Sequence, residues 1–315
     1  MKKKKISLLI IAMLISLLAI VGCSKDNKKE TTAKDTTVTT ESTNAEKEQL
    51  NVKWPYYEIK KDGAVKGHII GTIHMGKEEM YPFPQEMLDA LNNSKYFVTE
   101  VKMAEMSSPE SQEIMLNAMK GDKPLTDEMD EDTKKKYLEV LKDYGVGEEM
   151  VKTFNRFGVS QTLTAKTTDP TAALFGVDMQ LTSANKVENI GLETIQFQFD
   201  TLSKLADDPS DIKEWVNNIP TKEKAIEDFN SLLQNYIDGN ILGKYETPKS
   251  LDVSQEYYDA LLTNRNKNWI EQLPKYLESE NNSFIAVGAG HLPGDNGVLK
   301  LLEEKGYETN LIEFK

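Results

Sequence analysis

The sequence predicts an α/β domain: a mixed, largely parallel central sheet with a large helical insertion or covering layer. Three observations predict it. Apolar, β-rich runs alternate with segments of helical period at both ends of the folded part, as in a parallel sheet built from strand–helix units. Two of those runs end in the same pattern, Gly71-Thr72-Ile73-His74 and Gly288-Ala289-Gly290-His291. The stretch from about residue 105 to 265 carries helical signals almost throughout.

The chain opens with Met1 and Lys2 to Lys5, followed by an apolar run to Val21 broken only by Ser7 and Ser16. A basic start, a short apolar stretch and a small residue before a cut describe a secretory signal peptide, and the run is short for a membrane span. Ile20-Val21-Gly22-Cys23 resembles the lipobox of bacterial lipoproteins. Residues 1–22 are therefore expected to be removed and Cys23 to carry lipid. The lipid would anchor the exported protein to the outer face of the cell membrane, with the bilayer as a partner. An uncleaved N-terminal anchor is the alternative, and it leaves the rest of the chain outside the cytoplasm as well. Residues 24–49 are polar and contain almost no apolar side chain, so they are expected to form a disordered tether. Its reach would be ~90 Å stretched and ~30 Å as a coil.

The folded domain is expected over residues 50–315. Residues 56–60 and 65–73 read as strands joined through Lys61-Asp62-Gly63, and Asp-Gly between such runs signals a hairpin. The second run is nearly continuous in apolar character, which suits a buried central strand. A helix over 84–92 and a strand over 96–101 follow. Ser108-Pro109-Glu110 opens a helix to about Lys120, with a capping residue, proline in the first turn and an early acid. Helical patterns then cover 127–144, 148–154 and 159–166. Met103, Met106, Met115, Met119 and Met129 in this half are expected to fill core. Residues 187–192 read as a short strand ending at Glu193. Residues 221–238 form an amphipathic helix closed by Gly239, and another helix spans about 253–277. Phe284 to Val287 is a buried strand, 298–305 a helix, Gly306 its cap and 307–314 a last strand: a βαβ-like signature.

Composition excludes several functions. The formal charge is −13, and loss of Lys2 to Lys5 would leave 34 basic against 51 acidic residues, or −17. Such a chain is a poor candidate for nucleic acid. Cys23 is the only cysteine, so neither a disulfide within the chain nor a cysteine nucleophile in the domain is available. Only two of the 38 basic residues are arginines, Arg156 and Arg265. So strong a bias to lysine suggests that arginine is kept where its planar fork is wanted.

The three histidines are His68, His74 and His291. His68 lies inside a strand and is expected to pair locally. His74 and His291 each end an apolar strand, Glu100 lies near the end of a third and Glu193 ends a fourth. Ligands of open α/β sheets bind at such carboxyl ends. Two imidazoles and a carboxylate are also a ligand set of hydrolytic zinc or manganese sites, where the ion makes bound water acidic and polarises a carbonyl. Glycine ahead of each histidine would let the backbone turn tightly. Each residue has a plain structural explanation too: a strand-end histidine as a hydrogen-bonder, Asp178 and Glu193 as helix caps, Arg265 in a surface salt bridge.

In Gly71-Thr72-Ile73-His74, Val98-Thr99-Glu100, Gly176-Val177-Asp178-Met179-Gln180-Leu181, Gly191-Leu192-Glu193-Thr194 with Gln196, Arg265-Asn266 with Trp269, and Val287 to Gly294 with Gly297, the chain resembles the TraB/GumN proteins, which are related to the Tiki proteases. The resemblance runs from about Tyr57 to the C-terminus and implies a mixed α/β sheet covered by helices. By motif position it implies that His74, Glu100 and His291 hold a divalent metal ion (Mn, Co or Zn). It also makes Glu100, Arg265, Asn266, Glu193 and Asp178 candidate catalytic residues. The expected function is a metal-dependent hydrolase acting on peptide or protein. The alternatives are a metal-free ester hydrolase with a histidine-activated water, and a surface protein that binds a ligand or metal without turnover.

Overall fold

The computed structural model describes residues 49–206, 211–278 and 282–314. The signal, Cys23 and nearly all of the tether lie outside them. Six strands form one sheet: β1 (Tyr56–Lys61), β2 (Ala64–Thr72), β3 (Tyr96–Thr99), β4 (Glu188–Gly191), β5 (Ser283–Gly288) and β6 (Glu308–Leu311). Their order is β4-β3-β5-β2-β1-β6. β4, β3, β5 and β2 run parallel, while β1 is antiparallel to both β2 and β6. The expected α/β class and largely parallel sheet are therefore present. β6 points the same way as β5, with β2 and β1 between them, so the C-terminal strand–helix–strand unit crosses over two strands.

The local signals explain these elements. Asp62 and Gly63 sit at φ 53° and 73°, the left-handed pair that a two-residue hairpin needs, and Lys61 pairs with Ala64. The last four residues of β2 and the first five of β5 are buried on both faces, which is why each reads as an unbroken apolar run. Successive residues feed opposite layers. Tyr56, Ile70, Phe97 and Phe284 pack on one side with Met87, Leu91, Phe229 and Tyr236. Ile69, Val98, Ile285 and Val287 pack on the other with Trp269, Leu273, Val298 and Leu302. Each fully buried aliphatic side chain here contributes about 1.5–3 kcal/mol, so the two layers together fix the register of the central strands.

The helices are α1 (Gln85–Asn93), α2 (Pro109–Met119), α3 (Glu131–Tyr144), α4 (Arg156–Thr164), α5 (Val177–Ala184), α6 (Ile195–Ala206), α7 (Ile212–Asn218), α8 (Lys222–Ile237), α9 (Asn264–Ile270), α10 (Leu273–Leu277) and α11 (Val298–Glu304), with shorter turns between them. Ser108 caps α2 by accepting from the Ser111 N–H, as the sequence suggested. The helical middle has cores of its own, one around Met115, Met119, Phe157, Phe199 and Leu261, another around Tyr137, Leu141, Val159 and Val216. The methionines are filler there as expected. Met106, Met115 and Met119 are buried, and Met103 and Met129 pack at the edges.

Two expectations change. The helix expected over 253–277 is made of four segments. A turn of α-helix at Gln255–Tyr258 runs into a π-helical turn at Asp259–Thr263 and then into α9, while α10 is separate. Of α6 only its start was anticipated, in the reading of Glu193 as a helix cap, and α7 has no counterpart in the elements read from sequence, although Ile195, Phe199, Leu202 and Ala206 form an apolar stripe in α6.

Candidate active site

The sheet topology brings four carboxyl ends together. β4, β3, β5 and β2 are consecutive neighbours, with Thr99 beside both Gly191 and Ala286 and Thr72 beside Gly288. Glu193, Glu100, His291 and His74 leave those four strands within one to three residues of their ends. The glycines of the two histidine motifs serve close approach rather than a tight turn. A Cβ on Gly71 would lie 2.9 Å from both the Ala289 Cα and the Leu292 Cδ1. Gly176 likewise lets α5 abut His74, whose carbonyl oxygen would be 2.2 Å from an added Cβ.

At the centre stands Arg265, only 1% exposed. It is carried into the sheet's edge by α9, directly after the π-helical turn, a local widening frequent at functional sites. Its Nη2 donates to the Glu100 Oε2 at 2.6 Å and also to the Glu193 Oε1. Its Nε donates to the Glu193 Oε2 at 3.1 Å, and its Nη1 to the His291 Nε2 at 3.1 Å. The planar fork thus serves three side chains at once, which a lysine could not do. The surface-salt-bridge reading of Arg265 is corrected: the group is buried, and it is the hub of the cluster.

The remaining donors satisfy the carboxylates. Gln198 Nε2 donates to the Glu100 Oε2 at 3.0 Å and to the Glu193 Oε1 at 3.2 Å, the Gly288 N–H to the Glu100 Oε1 at 2.8 Å, and the Trp269 indole to the Glu193 Oε2 at 3.2 Å. Burial alone would raise the Glu100 pKa. The Arg265 guanidinium outweighs it, with smaller help from His291, His74 and the Gly288 N–H, and holds the carboxyl down at about 2. Glu193 moves the other way, because burial and the Glu100 charge outweigh its share of Arg265. Glu193 is not a plain helix cap.

His291 is 1% exposed. Its Nε2 accepts from Arg265, so Nδ1 carries the proton and donates to the Asn266 Oδ1 at 2.6 Å. Asn266 in turn donates to the carbonyls of His291 and Asn296, at 3.3 and 2.8 Å. The indole of Trp269 lies 4.3 Å from the imidazole, centroid to centroid. Burial, then the Arg265 charge, push the His291 pKa down to about 3, so the ring is neutral.

His74 lies at the mouth. Its Nδ1 donates to the Asp178 Oδ2 at 2.8 Å, and the Thr72 hydroxyl donates to the Asp178 Oδ1 at 2.7 Å. Asp178 is in the first turn of α5, whose capping residue is Gly176, so the helix-cap reading of Asp178 is corrected as well. Burial pulls the His74 pKa down, but the charge and hydrogen bond of Asp178, with Glu100 behind them, outweigh this and raise it above 6.5. With Nδ1 committed, Nε2 is the nitrogen left to the recess of about 50 Å³ that His74 helps to line.

His68 lies away from these groups and stacks on Tyr56 at 5.4 Å. That stacking is its local pairing, while its buried Nδ1 has no hydrogen-bond partner.

The expected metal donors are neighbours, with His291 Nε2 3.8 Å from the Glu100 Oε1, but they form no ion cage. Among the described residues no group of three or more His, Cys, Asp or Glu is disposed to hold an ion. The physical reason is the guanidinium. His291 Nε2 and the Glu100 Oε2 face Arg265 and the other Glu100 oxygen takes the Gly288 N–H, which leaves His74 Nε2 as the one uncommitted donor of the three. In this arrangement the residues do not fit a divalent ion.

Sequence reasoning missed Thr72, Gln198 and the structural part of Trp269. Trp269 sits one helical turn after Arg265 and Thr72 two residues before His74, spacings that put each on its partner's side. Gln196, singled out by motif, instead bonds Asp200 at the surface, and Gln198 is the residue that reaches the carboxylates.

Fold and site define an α/β protein whose buried charge cluster sits on the carboxyl ends of four parallel strands. The chain belongs to the TraB/PrgY/gumN family, whose sequence model matches residues 55–310. It is 25% identical over 255 residues to a protein of Shigella flexneri described as uncharacterized protein YbaP, a match covering 79% of this chain and 92% of that relative. The YbaP protein of Escherichia coli strain K12 matches with the same identity and coverage. No solved structure matches the chain.

Proposed function

We propose that the chain is a hydrolase of amide or ester bonds, exported and tethered outside the cell by lipid on Cys23, with peptides as its first candidate substrates. The observation that carries the hydrolytic reading is the Thr72–Asp178–His74 relay at the edge of a recess, next to a fully satisfied charge cluster. Asp178 fixes the His74 ring and its tautomer, so Nε2 is the basic nitrogen. As a water oxygen attacks the scissile carbonyl carbon, its proton passes to Nε2. That proton then goes to the leaving nitrogen or oxygen as the bond to carbon breaks.

The cluster beside it supplies charge rather than contact with substrate. One guanidinium faces two carboxylates, and the Glu100 charge strengthens His74 as a base while Arg265 tempers it. The ion that the family resemblance implies would have to displace Arg265 from Glu100 and His291. The lipid tether rests on Ile20-Val21-Gly22-Cys23 and the polar residues that follow.

The test is a library of peptides and esters offered to the purified chain and to its His74→Gln variant, with and without chelator. Turnover is expected in the wild type in both buffers, and about 10²–10⁴-fold less in the variant, which should still unfold cooperatively. Equal turnover in the two proteins, or none in either, contradicts the proposal.

A further inference from the structure

The recess beside His74 has a shape and chemistry of its own. Its volume is about 50 Å³. A water-sized group needs roughly 10–15 Å³ of such space, so the recess holds about three to five non-hydrogen atoms. Leu232 of α8, Ile241, and Leu261 and Leu262 of the π-helical turn form its walls, and Tyr245 and Ala289 close it. Its polar side chains are few. The Thr72 hydroxyl is engaged by Asp178, and the lining contains no carboxylate, lysine or arginine. A cation entering it would lose water and gain no partner, which is costly, whereas a carboxylate would meet the His74 Nε2. An aromatic side chain has more atoms than the space admits. Gly290 sets the inner limit, since a Cβ there would lie 2.7 Å from the Tyr245 ring.

From this geometry we infer that the recess is the specificity pocket of the chain. It takes one uncharged aliphatic side chain of valine, leucine, isoleucine or methionine size from the substrate, next to the bond that the His74 water attacks. The inference rests on the hydrolytic reading for the last clause only, because the pocket's selectivity is a binding property. Leucine should exceed alanine by at least one methylene's worth of discrimination, roughly 10–200-fold. Lysine should be excluded, and phenylalanine should be poor. Leu232 is the gate on size: Leu232→Ala opens the wall, so that variant should admit phenylalanine and lose its preference for leucine over it.

The experiment uses the full wild-type chain in detergent and blocked tripeptides Gly-Xaa-Gly with Xaa as Ala, Leu, Phe, Asp or Lys. Binding is read by saturation-transfer NMR and turnover in the same samples. Leucine ranked first in binding supports the pocket whether or not cleavage occurs. Ranking in binding with no turnover would remove the hydrolytic reading and leave the pocket. Turnover without side-chain preference, or a preference for Phe, Asp or Lys, would overturn the pocket and leave the hydrolase. Flat binding without turnover would overturn both. The wild-type ranking decides the question even if Leu232→Ala fails to fold, and a Leu232→Ala variant that folds and keeps the wild-type order also overturns the assignment.

Discussion

His74 and His291 leave neighbouring parallel strands in the same four-residue setting, yet their environments are opposite. His74 retains 17% side-chain exposure and faces a carboxylate, and its pKa rises above 6.5. His291 retains 1%, faces a guanidinium and an amide oxygen, and its pKa falls to about 3. The strands fix where each imidazole emerges; the helices that reach the strand ends decide what it can do. α5 delivers Asp178 to one, and α9 delivers Arg265 and Asn266 to the other. The difference also shows in acid. Between pH 6.5 and about 3 an unfolded His291 binds a proton that the folded one refuses, so its contribution to stability falls as pH falls. His74 contributes stability below pH 6.5 and loses it as pH rises through its raised folded value.

The largest effect should come from removing the hub that makes His291 different. Arg265→Met strips the counter-charge from two buried carboxylates. Breaking a buried pair this way typically costs about 3–5 kcal/mol, and urea unfolding measures it. A variant as stable as wild type would mean that Glu100 and Glu193 do not depend on Arg265. Arg265→Lys should also lose stability, because a single ammonium cannot serve two carboxylates and an imidazole in one plane.

Asp178→Asn should act on His74 and leave the Arg265 cluster intact. Without the carboxylate, burial dominates and the His74 pKa should drop. Turnover should fall by part of the roughly 10²–10⁴-fold that a general base supplies, and its rise with pH should begin at lower pH. The rate profile against pH checks both. An unshifted profile would separate His74 from the reaction.

Much of this site was legible before the structure because parallel strands buried on both faces read as continuous apolar runs. Their ends, and so His74, Glu100 and His291, were placed by pattern, whereas Glu193 follows the short, half-exposed β4. The scarcity of arginine pointed to Arg265 for the right reason, its fork. The pairing of His74 with Asp178 was not legible, since 104 residues separate them and no period links them. The role of Asp178 was masked by its position in a helix's first turn, where an acid ordinarily needs no further explanation. The metal expectation looked at donor types at strand ends, and the cation facing those donors is a side chain arriving from a helix 165 residues beyond Glu100. The π-helical turn that sets its approach leaves no mark in the apolar periodicity.

The smallest effect belongs to the third histidine. His68→Phe keeps a ring stacked near Tyr56 and removes a buried nitrogen that has no partner. Stability should be unchanged or slightly higher and turnover untouched. A loss of activity in that variant would show that the functional contrast extends beyond His74 and His291.

The contrast itself can be measured without a substrate. With three histidines in the chain, imidazole Cε1–H and ring-nitrogen resonances can be followed singly from pH 9 to the acid limit of folding. The account predicts one ring, His74, that titrates above 6.5. It predicts a second, His291, that stays neutral with its proton on Nδ1 until the protein unfolds, and both rings should be unmoved by stoichiometric Mn²⁺ or Zn²⁺. Titration of His291 near neutrality would contradict it, as would joint shifts of His74 and His291 on adding the ion.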